Sequence, residues 1–180
     1  MREVKPNTAS KFLVLGVPHE VQGEKFLKSI DDECYRDLVE QLIGVHKCDF
    51  LFEEAAGLTP SHAEILANSR SDRIGYMDVD PPRHEREQND LSVDTGGSFV
   101  VDLWQTSPCV ARIEDVSSHA AREEFWLTRI CEKKFSSALM ICGLAHCLSF
   151  AFRLRTAGYE VENCLHYLPY DKLCRHVAKT

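Results

Sequence analysis

The sequence predicts an α/β fold, a single domain over residues 1–180 built on a mainly parallel sheet with helices on both faces. Three observations carry this. Apolar runs of strand length alternate with longer stretches of helical periodicity from residue 11 to residue 162, the order that parallel strands joined by helical crossovers produce. Two of the runs end alike, Leu15-Gly16-Val17-Pro18-His19 near the start and Ile141-Cys142-Gly143-Leu144-Ala145-His146 near the end. Each reads as a strand that breaks at glycine and delivers a histidine to the carboxyl edge of the sheet, where ligands gather in open α/β folds. Finally, 180 residues are enough to bury one core without disulfides or a structural metal.

Taken in order, residues 1–10 are polar and read as loose, and Lys11 to Gly16 forms the first strand. Asp31 or Asp32 caps a helix whose inner face carries Tyr35, Leu38, Val39, Leu42 and Ile43, with Gly44 as its stop. Asp49 to Phe52 is a short second strand ending in Glu53-Glu54, a carboxylate pair that belongs at a surface or in a polar site because burying it is costly. Thr59 before Pro60 predicts an N-cap and a helix through Ala67, and Ile74 to Val79 a third strand. Residues 81–97 are charged and punctuated, which predicts a mobile loop. Ser98 to Trp104 fits strand or helix equally. Ser117 or Ser118 starts a helix from about His119 to Lys134. Ala138 to Cys142 is a buried strand that turns at Gly143 into a helix ended by Gly158. A last strand lies near Tyr159 to Val161, before a tail carrying Cys164, His166, Tyr167, Tyr170, Cys174 and His176.

The formal charge of -7, a pI near 5.6 and the lack of any Lys/Arg cluster argue against nucleic acid or an anionic membrane as a partner. No apolar run is long enough to span a membrane, and Met1-Arg2-Glu3-Val4-Lys5-Pro6 lacks the apolar core of a signal peptide, so the expected location is cytoplasmic. The eight cysteines are scattered without a Cys-x-x-Cys pair, and most read as small buried hydrophobes.

Chemistry is expected where the strands end. His19 and His146 with a carboxylate from Glu53 or Glu54 make a two-histidine, one-carboxylate set that holds a divalent ion such as Mn or Zn and leaves positions for water. His19, Glu53 and His146 are the expected ligands, with Glu20 or Glu54 taking the proton of the activated water. Without metal, His19 acts as general base directly. Adjacent strand-end side chains point to opposite faces, so Glu53 is expected inward and Glu54 in solvent or at the loop near Gly57. Arg122 on the late helix is a clamp for a substrate carboxylate or oxyanion, or else an ordinary surface ion pair. Cys147 beside His146 suggests a thiol nucleophile, but neighbours on a helix diverge by about 100 degrees.

With these residues assembled, the chain resembles the broad group that includes TraB-like and Tiki metallopeptidases, erythromycin esterases and haem-binding ChaN-like proteins. The resemblance rests on Gly16-Val17-Pro18-His19, on Phe52-Glu53-Glu54, on Arg122, and on Gly143-Leu144-Ala145-His146 followed by Ala157-Gly158-Tyr159-Glu160-Val161. The order of motifs matches over most of the chain, whereas Arg122-Glu123-Glu124-Phe125-Trp126 departs from the Arg, Asn or Asp, Met pattern of that group. The resemblance implies an α/β sheet with a site of His19, Glu53, Glu54, Arg122 and His146, and leaves the reaction open. Two functions are therefore expected in competition: a hydrolase of ester, amide or peptide bonds acting on a small molecule or peptide, and a protein that binds haem or another small ligand without turnover.

Overall fold

The computed structural model describes residues 10–18, 21–22, 30–55, 60–88 and 113–167. Their elements run β1 (Lys11–Val17), α1 (Ile30–His46), β2 (Phe50–Glu53), α2 (His62–Ser69), β3 (Gly75–Asp78), α3 (Arg83–Gln88), α4 (Ile113–Cys131), β4 (Ser137–Gly143), α5 (Cys147–Thr156) and β5 (Glu160–His166). The strands form one sheet in the order β3-β2-β4-β1-β5, and every pair is parallel. The expected α/β fold with a parallel sheet is the fold found.

Strand residues alternate between two cores. Phe12, Val14, Phe52, Ala138, Met140 and Cys142 pack with Trp126 and Ile130 of α4 and Phe150 and Leu154 of α5. Their neighbours Leu13, Leu15, Leu51, Leu139 and Ile141 pack with Tyr35, Val39 and Ile43 of α1 and Ala63 and Leu66 of α2. The chain thus moves from β1 to β3 along one face and returns from β3 to β5 along the other, which gives both sets of crossovers the same hand. β1 and β4 lie side by side with Val17 opposite Gly143, yet their outgoing chains pass to opposite faces. That reversal marks the switch point of the sheet, the place where ligands bind in open α/β folds.

Helices α1 and α5 stop by one device. Cys48 N–H donates to Ile43 O (3.0 Å) with Lys47 at φ 50°, and Tyr159 N–H donates to Leu154 O (3.0 Å) with Gly158 at φ 96°. Both are Schellman closures, and in both the residue after the left-handed one packs in the core beside the carbonyl's owner. Gly158 therefore ends α5 as its sequence position predicts, but Gly44 does not end α1, which continues to His46.

Other boundaries differ from the sequence reading for local reasons. The N-cap of α2 is Ser61, whose Oγ accepts from Glu64 N–H (3.1 Å); Thr59 lies outside the described residues. Within the stretch expected to be a loop, Arg83–Gln88 is helical, opened by the Glu85 and Arg86 N–H groups on Pro82 O, while residues 89–97 lie outside the described residues. Ser10 is buried and donates to Phe135 O (2.7 Å), so packing already includes the residue before β1; residues 1–9 lie outside the described ones. β5 runs on to His166 and takes Cys164 and His166 out of the presumed tail. Ser98 to Trp104 lies outside the described residues. Among the described residues no helix is long and apolar enough to cross a membrane.

Glycine in the first Gly-x-x-His motif has a packing role. A Cβ on Gly16 would stand 2.8 Å from Cys147 Cβ and 3.0 Å from His166 Cδ2, so only glycine lets the start of α5 sit directly on β1.

Candidate functional site

β2 ends at Glu53 and the chain carries on through Glu54, so the strand alternation sends the two carboxylates to opposite sides of the sheet. Both sides are roofed by helices, and both glutamates are fully buried. This corrects two expectations at once. Neither carboxylate reaches solvent, and the one facing the histidine is Glu54.

Glu54 Oε1 accepts from Arg122 Nη2 (2.7 Å) and its Oε2 from the Gly143 N–H at the end of β4 (2.8 Å). Arg122, with no exposed surface, reaches also to Asp80 through Nη2 (3.0 Å) and Nε (3.3 Å). Asp80, just past β3, further accepts from Trp126 Nε1 (3.1 Å) and pairs with Arg86 Nη2 (3.0 Å). Burial pushes the Asp80 carboxyl up, and the Arg122 and Arg86 guanidiniums oppose that shift. Arg122 is therefore neither a surface ion pair nor a free clamp for substrate: its guanidinium ties together the ends of β2 and β3 beneath α4.

His146, the N-cap of α5, is 3% exposed and lies with its ring edge-on to Trp126 at 4.8 Å. Its Nδ1 is 3.0 Å from Glu123 Oε1, and its Nε2 is 3.7 Å from Glu54 Oε1. Glu123 is fixed in turn by Ser149 Oγ (2.5 Å) and by Arg153 Nε (2.8 Å). Burial works to lower the His146 pKa, but the Glu54 and Glu123 charges outweigh it and hold the ring above the usual histidine value. Burial likewise opposes ionisation of Glu123, and the donors His146, Ser149 and Arg153 overcome it and lower its pKa.

On the other side of the sheet Glu53 meets neutral donors. Gln22 Nε2 (3.3 Å) reaches Oε1, while Tyr76 Oη (2.8 Å) and the Ser61 hydroxyl in a short contact reach Oε2. Burial dominates these bonds and lifts the Glu53 pKa to about 7. Asp78, one strand over, is raised by burial to about 6 while accepting the N–H groups of Ala55 (3.2 Å) and Asp80 (3.0 Å).

Of the residues expected from sequence, Glu54, Arg122 and His146 come together, Glu53 turns away, and His19 and Glu20 lie outside the described residues. Of the expected metal set, Glu53 and His146 lie on opposite sides of the sheet and His19 is outside the described residues, and among the described residues no group of three or more His, Cys, Asp or Glu side chains is arranged to hold a metal ion. Asp80, Glu123, Trp126, Ser149 and Arg153 were not singled out. A signal for Asp80 existed: Asp78-Val79-Asp80 closes β3 as Glu53-Glu54 closes β2. A cavity of about 220 Å³ lined by Glu33, Arg36, Asp37, Glu40 and Leu66 includes none of these groups.

Searches for likeness find no matching family model, no matching curated protein and no matching solved structure.

Proposed function

We propose that the chain is a hydrolase of ester, amide or peptide bonds in which His146 is the proton-transfer group and Glu123 its positioning residue. The observation that supports this most is the ordered relay at the carboxyl edge: Arg153 and Ser149 fix Glu123, Glu123 holds Nδ1 of His146 at 3.0 Å, and Nε2 lies 3.7 Å from Glu54 Oε1. A base whose orientation is set by a carboxylate is the arrangement that acyl-transfer sites use. A pKa raised above the ordinary histidine value favours the protonated ring, the form that gives a proton to a leaving group. Because the ring is almost fully covered, substrate reaches Nε2 only by displacing what lies over it.

The test is turnover of a panel of p-nitrophenyl esters and fluorogenic peptides, with and without added Mn²⁺ or Zn²⁺. His146→Gln is expected to lower kcat by about a hundredfold or more while the circular dichroism stays that of wild type. Glu123→Gln should shift the acidic limb of the pH profile downward, because it removes one of the charges that raise the histidine pKa. Full activity in His146→Gln would sink the proposal, as would failure of the wild type to turn over any member of the panel in either condition.

A further inference from the structure

Opposite the Glu123 contact, the start of α5 carries a cluster of sulfur that the hydrolytic reading does not use. Cys147 is the first residue of α5, and its Sγ lies 3.6 Å from Sγ of Cys164 on the edge strand β5. Cys142 at the end of β4 neighbours the same sulfur, and Gly16 leaves the space in which Cys147 and His166 meet. Cys142 and Cys147 are buried, whereas Cys164 is partly exposed.

We infer that Cys147 and Cys164 form a peroxide-oxidisable dithiol, a modification site that closes reversibly to a disulfide between α5 and β5. The sulfurs already touch, and the bond length of about 2.05 Å needs an approach of roughly 1.5 Å, within the reach of side-chain rotation with a small shift of an edge strand. The roles of the two sulfurs differ. The neighbouring Cys142 thiol, then Cys164 and His166, outweigh burial at Cys147 and hold its pKa at about 6, which favours its thiolate. Burial and the neighbouring Cys147 push Cys164 up to about 12, so it serves as the resolving thiol. The Cys147 thiolate attacks one peroxide oxygen, the O–O bond breaks, and with one proton taken up water leaves and a sulfenic acid remains. The Cys164 sulfur then attacks the sulfenic sulfur; its proton and the hydroxyl depart as a second water, and the S–S bond forms. Two thiols lose two electrons in all and one peroxide gains them. This inference does not depend on the hydrolytic reading.

The experiment treats the folded full chain with dilute hydrogen peroxide, blocks remaining thiols with N-ethylmaleimide and maps linked peptides by mass spectrometry, with circular dichroism to confirm that each sample is folded. The expected result is a Cys147–Cys164 link that dithiothreitol removes. In Cys164→Ser, dimedone should label Cys147 instead, and Cys142→Ser should still form the link. A link from Cys147 to Cys142, Cys109 or Cys174 in place of Cys164 would overturn the assignment. So would a folded wild type in which both Cys147 and Cys164 remain alkylatable after peroxide has oxidised other cysteines or none.

Discussion

Glu53 and Glu54 are neighbours in the chain and equally removed from solvent, but one lies among neutral donors and the other beside a guanidinium. Ser61, Tyr76 and Gln22 hydrogen-bond Glu53 without offsetting its charge, so burial wins and its carboxyl titrates near 7. Glu54 has Arg122 at 2.7 Å and the Gly143 N–H at 2.8 Å, the company a buried anion needs. A single step along a strand thus separates a carboxyl suited to holding a proton from a carboxylate locked in an ion network. A doubly covered sheet makes this possible, since both directions in which a strand-end side chain can point are interior.

The largest effect is expected where the ion network loses its cation. Arg122→Met leaves Glu54 and Asp80 buried with their main partner gone, and should cost about 3–5 kcal/mol in urea denaturation at neutral pH. Combining it with Glu54→Gln and Asp80→Asn should recover a large part of that loss. An Arg122→Met protein as stable as wild type would mean that Glu54 is no more charged than Glu53, and the contrast would collapse.

Next in size is the pH dependence that Glu53 introduces. Unfolded, this glutamate releases its proton near 4.5, and folded it keeps it to about 7. Between those values the native state binds more protons, so its contribution to stability falls as pH rises, by on the order of 3 kcal/mol across the window. Glu53→Gln should be within about 1 kcal/mol of wild type at pH 5, where the two side chains are close in shape and both neutral, and more stable than wild type at pH 8. Denaturation midpoints of the two proteins that run parallel from pH 5 to pH 8 would refute the neutral assignment.

A smaller loss is expected from Glu54→Gln, about 2 kcal/mol at pH 7, because Arg122 keeps Asp80 and the amide oxygen still accepts from Gly143. Its sharper readout is His146. Glu54 is the foremost charge raising that pKa, so an NMR titration of the ring in Glu54→Gln should move to lower pH than in wild type, whereas Glu53→Gln should leave it in place.

Much of the scaffold was legible because it follows from periodicity and from Gly158, whose φ of 96° only glycine adopts with ease. Gly44 misled because it lies inside a helix with nothing within 4 Å of its missing Cβ, while the actual stop uses Lys47 in a left-handed conformation that its side chain does not advertise. The opposite pointing of Glu53 and Glu54 was legible too; what the chain's order could not convey was that solvent lies on neither side. Arg122 and His146 were found through motif order, whereas Asp80 and Glu123 enter the site through pairings 42 and 23 residues away in sequence, which no local pattern encodes.

The smallest effect should come from Tyr76→Phe, which removes the hydroxyl that donates to Glu53 Oε2 at 2.8 Å and leaves the ring in place. At pH 5 the glutamate is protonated and Ser61 still contacts the same oxygen, so the loss should be about 1 kcal/mol or less. At higher pH the missing donor matters more, because a hydrogen bond to the carboxylate stabilises the charged form. The folded pKa of Glu53 should therefore rise above about 7, and the range over which stability declines with pH should extend upward in the variant. Carboxyl chemical shifts of Glu53 in isotope-labelled protein would follow this directly. A titration midpoint that falls in Tyr76→Phe would mean that the tyrosine accepts from a protonated Glu53 instead of donating to it, and the ordering of donors on that side of the sheet would have to be reversed.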